Sequence, residues 1–422
     1  IFQASRMLVE FALCECPLDG GLKPGRLDLT RLMAKALQVF NHGGFSDAIR
    51  WDVMEPRLKV TALGDIHANW DLIDDFLQPF GRATSQDRAE TAARAYGRNV
   101  EAATVAASIH DQFDPVFLAA YEDEVGASVD EARFFVEHLE EMGLATGKAL
   151  MLTRRGPFLR SIAAGGHLRS EAAEALLNYL TLKTRPSWRA TPSGYDDRDR
   201  QPWRFRRRLA MLRKPILQID DDDDPRILLT PGVAREAFVY TVSNLQRGDF
   251  PDWQLKRPMR RWQGRVADKR GATFARDVAA KLEAAGWRTE VDVKISKILG
   301  AAQERDFGDV DVLAWREDGS RLLVIECKDV QYRKTVGEIS EQLADFRGEY
   351  RANGKRDYLR LHLDRIDLLR ARADDVRRYL GLTATGDLES HLVFRNPVPM
   401  KYALAKMAEQ VKVTLISELE AI

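Results

Sequence analysis

Hydrophobic residues recur at helical spacing in two stretches near the middle of the chain. DPVFLAAYEDEVG predicts one helix, and SVDEARFFVEHLEEMGLA predicts a second. The second stretch opens with Ser128 three residues before Glu131, which is the capping box of a helix N-terminus. Gly143 is expected to end this helix, because glycine is frequent just past a helix C-terminus. A strand-like segment, KALMLTRRG, and a short helix, PFLRSIA, follow.

This succession of helix, helix, strand and helix over residues 113–182 resembles a winged-helix domain. Winged helices bind DNA in many proteins, and in many others they serve only as protein–protein modules. The second helix carries no cluster of residues suited to reading bases, so the pattern leaves both roles open.

The pattern is less regular on either side of this domain. Residues 1–112 mix helical and short strand-like patterns, with helices predicted at 27–40 and 88–113. Residues 183–262 are rich in proline, arginine, serine and aspartate, and they predict an irregular connection with one β-hairpin.

The loop of this hairpin carries five consecutive aspartates, Asp220 to Asp224. We interpret them as a solvated loop, because they lack the spaced ligands and the glycine of a calcium loop. The alternatives are a metal site and a mimic of DNA charge that occupies a basic groove.

Helix and strand patterns follow a regular order in the last third of the chain, and residues 263–400 are predicted to form one domain. Phe274, Val278 and Leu282 form the core stripe of its first helix. Three strands follow (TEVDVKIS, GDVDVLAW and LLVIECKD), then a helix over 335–350, further helices and a late strand over 391–400. Residues 401–422 are expected to be a C-terminal tail. The whole chain is therefore predicted to be a multidomain α+β protein.

Two acidic residues and a lysine lie on strands that are otherwise apolar. Side chains alternate between the two faces of a strand, so Glu326 and Lys328 share one face. If the second and third strands pair around the turn at 317–320, Asp311 reaches the same edge of the sheet. Burying charge without a partner is costly, so the simplest explanation is that the carboxylates hold a divalent metal.

The pattern G-D-x-D-V-L-A followed by E-C-K resembles the PD-(D/E)XK nuclease superfamily, in particular its Mrr and Holliday-junction-resolvase branches. The resemblance covers the last third of the chain and implies a restriction-endonuclease-like α/β/α domain. It also implies that Asp311, Glu326 and the backbone carbonyl of Cys327 bind Mg²⁺, for which Mn²⁺ can substitute. Lys328 would then orient or activate the attacking water.

Two further positions test the resemblance. Related enzymes often carry glutamate in a pattern F-E-x-x-V of the first helix, but here Ala275 stands between Phe274 and Val278. This loss argues against a second metal site. Gln342, followed four residues later by Phe346, resembles the Q-x-x-x-Y motif of the RecB branch, with phenylalanine in place of tyrosine. The motif implies that Gln342 helps to anchor the catalytic site and DNA; the alternative is a polar residue on an amphipathic helix.

Charge is balanced over the whole chain but uneven along it. There are 64 lysines and arginines against 64 aspartates and glutamates. The segment KRPMRRWQGRVADKR is basic with an interleaved tryptophan, as in surfaces that contact phosphates and stack on bases. Its candidate nucleic-acid contacts are Arg257, Arg260, Arg261, Arg265 and Lys269. A solvated basic face or an interdomain salt-bridge surface would have the same composition.

The remaining composition is that of an ordinary globular protein in a reducing compartment. No apolar run approaches the about 20 residues that span a bilayer, and no secretory signal is recognisable. Cys14, Cys16 and Cys327 are too few, and odd in number, for a disulfide framework. A cytoplasmic protein without a membrane partner is expected.

A competing motif lies nearer the N-terminus. KVTALGDIHANWDL resembles the first block of calcineurin-like metallophosphoesterases, in which Asp65 and His67 would be metal ligands. That chemistry needs two metals and further Asp, Asn and His ligands. The later blocks G-D-x-x-x-x-G and G-N-H-D/E are missing from the sequence, so we interpret Asp65 and His67 as polar residues after a strand.

These patterns predict a Mg²⁺-dependent nuclease that hydrolyses phosphodiester bonds in DNA, in bacterial defence against foreign DNA. The expected partners are DNA and other subunits of a defence complex. One alternative is a nuclease of DNA repair or recombination. The other is a non-catalytic DNA-binding or assembly protein with a degenerate nuclease fold, which the missing first-helix glutamate favours and the intact Asp-Glu-Lys set opposes.

Overall fold

The chain folds into two units, each made of two separate stretches of sequence. One unit comprises Ile1–Ser46 with Val105–Val266, and the other comprises Asp47–Thr104 with Ala267–Ile422. The sequence predicted five consecutive segments, so the prediction did not include this interleaving of two units. The computed structural model describes residues 2–55, 59–67, 77–85, 89, 93, 113–351, 354–383, 386–403 and 411–422. The helix expected over 88–113 therefore falls almost wholly outside the described residues.

The described helices alternate with short strands along the chain. The helices are α1 (Phe2–Glu15), α2 (Arg26–Arg50), α3 (Pro115–Val125), α4 (Val129–Thr146), α5 (Arg155–Ala164), α6 (Ser170–Leu180), α7 (Asp197–Arg200), α8 (Pro231–Gln246), α9 (Arg257–Ala284), α10 (Ile295–Ile298), α11 (Val336–Ala344), α12 (Tyr358–Ala371), α13 (Ala373–Leu380) and α14 (Met400–Ala403). Two 3₁₀ segments are Asp252–Gln254 and Ile416–Ala421. The strands are β1 (Lys59–Val60), β2 (Ile66–His67), β3 (Met151–Arg154), β4 (Thr181–Lys183), β5 (Ile216–Gln218), β6 (Arg226–Leu229), β7 (Arg288–Lys294), β8 (Asp309–Trp315), β9 (Leu322–Lys328), β10 (Leu388–Phe394) and β11 (Lys412–Leu415). The protein is thus a mixed α/β protein.

Helix α4 begins where its capping box predicts but ends later than expected. Ser128 Oγ accepts a hydrogen bond from the main chain of Glu131, whose carboxylate accepts one from the main chain of Ser128. The helix continues past Gly143 to Thr146, and Gly147 follows with a φ of 63°. Gly143 instead lies against Pro231, where an added Cβ would be 3.0 Å from the proline ring. The prediction that Gly143 ends the helix was wrong, because close packing is what requires the glycine.

The first unit contains a four-stranded sheet in the order β3-β6-β5-β4. β5 and β6 pair antiparallel and confirm the predicted hairpin. β3 pairs antiparallel with β6, so the strand of the 113–182 segment shares its sheet with the segment that follows. α4 and α6 bury apolar residues such as Phe135, Leu139 and Leu177 in the same core as β6.

The aspartate-rich hairpin loop is anchored at both ends. Asp220 Oδ1 accepts a hydrogen bond from the main chain of Arg226 at 3.0 Å, and its Oδ2 accepts one from the Arg226 side chain. Asp224 Oδ1 accepts one from the main chain of Gly156 at 2.6 Å. The three aspartates between them are exposed. The end carboxylates therefore hold the hairpin, and only the centre of the loop is solvated as predicted.

The second unit contains a five-stranded mixed sheet in the order β11-β10-β9-β8-β7. β8 runs antiparallel to both of its neighbours, β7 and β9, whereas β10 pairs parallel with β9 and β11 pairs parallel with β10. The predicted strands thus lie side by side in one sheet. The segment 401–422, expected to be a tail, supplies the edge strand β11 and the buried Leu419.

Helices pack against both faces of this sheet. The predicted stripe of Phe274, Val278 and Leu282 on α9 is fully buried, in a core with Val312 and Leu323 of the strands. The opposite core contains Ile366 and Leu369 of α12 together with strand residues such as Val324. Glu326 and Lys328 share a strand face with Val324, so they face α12 rather than α9.

Candidate active site

The pairing between neighbouring strands of the sheet is interrupted at Asp311. Pairing between β7 and β8 runs from Arg288 opposite Trp315 to Lys294 opposite Asp309, but it skips Asp292 and Asp311. Asp292 has a φ of 54°, a conformation that interrupts a strand. On the other side, the pairing of β8 with β9 stops at Val312. Asp311 therefore stands where neither neighbouring strand pairs with its backbone.

The side chain of Asp311 makes a hydrogen bond to β9 where the backbones of β8 and β9 no longer pair. Its Oδ2 accepts a hydrogen bond from the main-chain N–H of Cys327 at 2.7 Å. A strand residue presents its N–H and its C=O on the same side, so the Cys327 carbonyl is expected to face Asp311 as well. The predicted carboxylate of β8 and the predicted carbonyl of β9 are thus expected to lie close together between the two strands.

Glu326 is buried between two cations. Its side chain is 7% exposed, and its Oε1 lies 2.6 Å from Nζ of Lys328. Its Oε2 accepts a hydrogen bond from the guanidinium of Arg365 on α12. Arg365 is held in turn by a 2.7 Å hydrogen bond from its Nε to the carbonyl of Phe307. The Asp-Glu-Lys set predicted from the sequence is therefore joined by an arginine that the prediction did not include.

The pKa values of the two carboxyl groups of the site are shifted in opposite directions. Burial and the neighbouring charge of Glu326 raise the pKa of Asp311 well above its usual range, against the opposing effect of Lys328. Burial also disfavours the charged form of Glu326, but Lys328 and Arg365 outweigh it and lower the pKa of that carboxyl. Lys328 loses hydration on burial, yet the charges of Glu326 and Asp311 raise its pKa. A carboxylate pair shifted in opposite directions beside cations is typical of a functional site.

A buried histidine stands behind Glu326. Nδ1 of His362 lies 3.9 Å from Oε2 of Glu326, and its Nε2 is 3.0 Å from Oγ of Ser390. Burial lowers the pKa of His362 to about 4, so the ring is neutral at pH 7. His362 and Arg365 are three residues apart on α12 and so lie on one helix face. The sequence offered only this spacing as a signal, and it resembles that of any amphipathic helix.

Three further arginines donate hydrogen bonds to Asp364, a buried residue that precedes Arg365 on α12. Asp364 Oδ2 accepts hydrogen bonds from Arg305 at 2.9 Å and from Arg356 at 3.2 Å, while its Oδ1 accepts one from Arg360 at 2.6 Å. Arg360 also reaches Asp367, at 3.3 Å. Three guanidinium groups thus share two carboxylates, which leaves an excess of positive charge.

Asp311 and Glu326 supply the two carboxylates that are predicted to hold Mg²⁺. Among the residues that the structure describes, no three Asp, Glu, His or Cys side chains are grouped to hold a metal ion. Mg²⁺ is nevertheless often held by one or two carboxylates, with water completing its shell. One carboxylate oxygen of Asp311 is not used in the hydrogen bond to Cys327 and could bind a cation. At Glu326, a cation would share the carboxylate with Arg365 or displace the arginine.

Gln342 is not joined to this cluster by a hydrogen bond. It lies on α11, is 4% exposed, and its Oε1 has no hydrogen-bond partner among the described residues. Phe346, the other residue of its motif, packs against Tyr358 with the rings tilted by 40° and their centroids 5.5 Å apart. Nζ of Lys328 lies 5.4 Å from the centroid of the same Tyr358 ring. The motif therefore reaches the site through its aromatic residue, and an anchoring role for Gln342 stays a prediction.

The position of the missing first-helix glutamate lies in the core. Ala275 is 2% exposed and belongs to the apolar cluster under α9. Asp277, two residues later, forms a 2.9 Å ion pair with Arg395 instead. In the part of the chain that the structure describes, α9 thus adds no carboxylate to Asp311 and Glu326.

The predicted nucleic-acid contacts lie along the first half of α9. All are exposed: Arg257, Arg260, Arg261, Arg265 and Lys269. Four of them recur every four residues, which places successive members on neighbouring turns of the helix. The guanidinium of Arg265 lies 5.5 Å from the centre of the Trp262 ring. The basic segment is therefore an exposed helical surface continuous with the first helix of the predicted nuclease domain.

The competing phosphoesterase motif forms a small hairpin. β1 and β2 pair antiparallel, and Gly64 between them has a φ of 84°. Asp65 is exposed, while the side chain of His67 and residues 68–76 lie outside the described residues. Cys14, Cys16 and Cys327 are free thiols.

Comparison with known proteins places nearly the whole chain in one family. A family model described as "Anti-phage protein Upx-like" matches residues 2–420. No curated protein and no solved structure matches the chain. Of the helices that the structure describes, none combines the length and the apolar character needed to cross a bilayer.

Proposed function

The chain belongs to the Upx-like family of anti-phage proteins, and from that premise we propose that it acts against phage as a Mg²⁺-dependent nuclease that hydrolyses phosphodiester bonds in DNA. The main support for the proposal is that Asp311, Glu326 and Lys328 lie together where the pairing of the strands is interrupted. Two carboxylates and an ammonium are the groups that metal-dependent phosphodiester hydrolysis requires. The family's role against phage favours defence over a nuclease of DNA repair.

Each residue of the site has a separate task in the proposed reaction. Asp311, Glu326 and the Cys327 carbonyl would hold Mg²⁺, whose charge would offset the negative charge that develops on the scissile phosphate. Lys328, 2.6 Å from Glu326, would position the attacking water and stabilise the transition state with its ammonium. Arg365, which is itself fixed by the carbonyl of Phe307, would compete with the metal for Oε2 of Glu326.

We further propose that the second unit has a restriction-endonuclease-like fold. Its elements follow the expected order of a helix (α9), three strands (β7, β8, β9), a helix (α11) and a strand (β10). The helices that pack on both faces of the sheet support this assignment. In the first unit, the order α3, α4, β3, α5 supports a winged-helix-like module for contact with DNA or with protein.

Two groups of cations would contact the DNA backbone. The exposed residues of α9 from Arg257 to Lys269 form one. The arginines around Asp364 form the other, next to Arg365 of the site. Guanidinium groups suit this role because they bind phosphate oxygens in a bidentate manner.

A second candidate function follows from the occupation of Glu326. Both of its carboxylate oxygens are engaged by cations of the chain, and the first helix carries the buried Ala275 where related nucleases carry glutamate. A site in this state would suit a DNA-binding or assembly protein of phage defence whose nuclease fold is a scaffold.

Cleavage assays separate the two functions. The full chain is incubated with plasmid, linear duplex and single-stranded DNA, with Mg²⁺, with Mn²⁺ and with chelator. We expect metal-dependent cleavage that Asp311→Asn abolishes. DNA binding without cleavage in any of these conditions would favour the scaffold function, and cleavage that persists in Asp311→Asn would place the active site elsewhere.

A further inference from the structure

A small cavity in the first unit lies among cations and tyrosines. Its volume is about 180 Å³. The cations that line it are Arg208, Arg213 and Lys214, the last two directly before β5. The remaining lining residues are Tyr179, Tyr195, Gln254 and Glu124. Every lining residue belongs to the first unit, so the cavity is independent of the proposed nuclease site.

Two of these cations have no carboxylate partner among the described residues. Arg213 is 5% exposed and donates to Oε1 of Gln254 at 2.6 Å and to the hydroxyl of Tyr179 at 3.3 Å. Lys214 donates only to the main-chain carbonyl of Tyr179, at 2.7 Å. Arg208 differs, because it binds the carboxylate of Asp199 at 2.7 Å and 2.9 Å. Among the described residues, Arg213 and Lys214 thus hydrogen-bond only to neutral groups.

The cavity is lined by a single carboxyl group, that of Glu124. Oε2 of Glu124 accepts a hydrogen bond from the main chain of Lys256 at 2.7 Å. Burial raises the pKa of Glu124, against the opposing effects of Lys256 and Arg213. Burial also lowers the pKa of Lys214 to about 7, and the charge of Arg213 adds to the effect. A buried cation such as Arg213 is costly unless an anion accompanies it.

The tyrosine hydroxyls add hydrogen-bond donors to the same space. The Tyr179 hydroxyl accepts a hydrogen bond from Arg213, so its own proton remains available to a ligand. The hydroxyl of Tyr195 has no hydrogen-bond partner among the described residues, and its ring is held by Arg208 at 4.6 Å. Two hydroxyls, an ammonium and two guanidinium groups therefore line a cavity that has one carboxyl group.

We propose that this cavity binds a phosphate group, either free or carried by a small phosphorylated compound. A phosphate offers more acceptor oxygens than a carboxylate and so matches the number of donors. The cavity is smaller than the roughly 300–1,000 Å³ of pockets for drug-sized ligands, which argues for a small ligand. The proposal adds a ligand site to the first unit and does not depend on nuclease activity.

Calorimetric titration of the full chain with inorganic phosphate tests the proposal, at constant ionic strength set by chloride. We expect saturable binding that Lys214→Met weakens by about tenfold or more, the effect of losing one hydrogen bond to a charged group. Lys148→Met, an exposed lysine of the same unit, is the matched control and should bind as the wild type does. Tyr195→Phe keeps the ring on Arg208 while removing one donor, so it gives a second test should Lys214→Met fold poorly.

Three results would overturn the proposal. They are no saturable binding of phosphate, wild-type affinity in both Lys214→Met and Tyr195→Phe, and equal weakening in Lys148→Met. A parallel titration with glucose 6-phosphate distinguishes the two sources of the group. Tighter binding than inorganic phosphate indicates a phosphorylated compound, and weaker binding indicates the free anion.

Discussion

The main-chain N–H of Cys327 donates a hydrogen bond to Oδ2 of Asp311 at 2.7 Å, across a gap where the strands no longer pair. The backbone of β9 thereby fixes the carboxylate of β8 beside Glu326. One oxygen of Asp311 is used in this way, and the other remains for a ligand.

This bond makes the amide variant of Asp311 a clean probe. Asp311→Asn keeps an oxygen that can accept from Cys327, so we expect a stability close to that of the wild type and no cleavage. Asp311→Ala leaves the amide of Cys327 without its partner, which should lower the free energy of unfolding by about 1–3 kcal/mol. Urea denaturation at pH 7 measures both variants. Equal loss of stability in the two would show that the hydrogen bond does not hold the site.

Arg365 is predicted to compete with a metal ion for Glu326. Its guanidinium donates to Oε2 of Glu326, so its removal in Arg365→Ala frees that oxygen. We expect Mn²⁺ to bind about tenfold more tightly, the equivalent of one hydrogen bond to a charged group. Calorimetric titration measures this, with Arg305→Ala as the control because Arg305 bonds to Asp364. Weaker Mn²⁺ binding in Arg365→Ala would mean that the arginine supports the metal site instead.

The exposed arginines of α9 are predicted to contact phosphates. Reversing both Arg260 and Arg261 to glutamate should weaken DNA binding and flatten its dependence on salt, because each lost phosphate contact lowers the slope of log K against log salt by about 0.9. Fluorescence anisotropy with a labelled duplex in chelator measures the slope. The matched control reverses Arg377 and Arg378, another adjacent pair of arginines, on α13, whose side chains are 43% and 75% exposed. An unchanged slope for the α9 variant would show that the α9 arginines are structural.

The capping box of α4 is predicted to make stability depend on pH. Hydrogen bonds from Arg169, and from the main chain of Ser128, hold the pKa of Glu131 at about 2, below its ordinary value of 4.5. Its contribution is therefore complete above pH 4.5 and is lost as the pH falls towards 2. We expect Glu131→Gln to lower the free energy of unfolding by about 1 kcal/mol at pH 7, with the difference shrinking below pH 4.5.

Denaturation from pH 7 to pH 3 tests this dependence. Glu137→Gln on the same helix is the control, because Glu137 is more exposed and lies 3.8 Å from Arg133. A constant difference between Glu131→Gln and the wild type across this range would contradict the assignment.

The strands, and the positions of Glu326 and Lys328 on one strand face, could be predicted from the sequence. Alternation along β9 places Glu326 and Lys328 on one face, and the apolar stripe of α9 identifies the helix that covers the other face. Both depend on local periodicity, which a single sequence displays.

What could not be predicted depends on tertiary contacts. Arg365 and His362 lie on a helix whose pattern is that of any amphipathic helix, and only the fold brings them to Glu326. β11 is four residues long, too short for its alternation to stand out from a tail. The cavity at Lys214 gathers residues from distant parts of the first unit, which no local pattern reveals.

Single-turnover cleavage of duplex DNA in Mg²⁺ by the wild type and by Lys328→Ala tests the central claim most directly. The ammonium of Lys328 would act on charge that appears only in the transition state, so its loss should slow cleavage by about 10²- to 10³-fold. The melting temperature and the affinity for DNA in chelator should stay close to those of the wild type, and so should the cleavage rate of Lys294→Ala, which removes an exposed lysine of β7. Cleavage by Lys328→Ala at the wild-type rate would contradict the account, because the activity would then reside elsewhere in the chain.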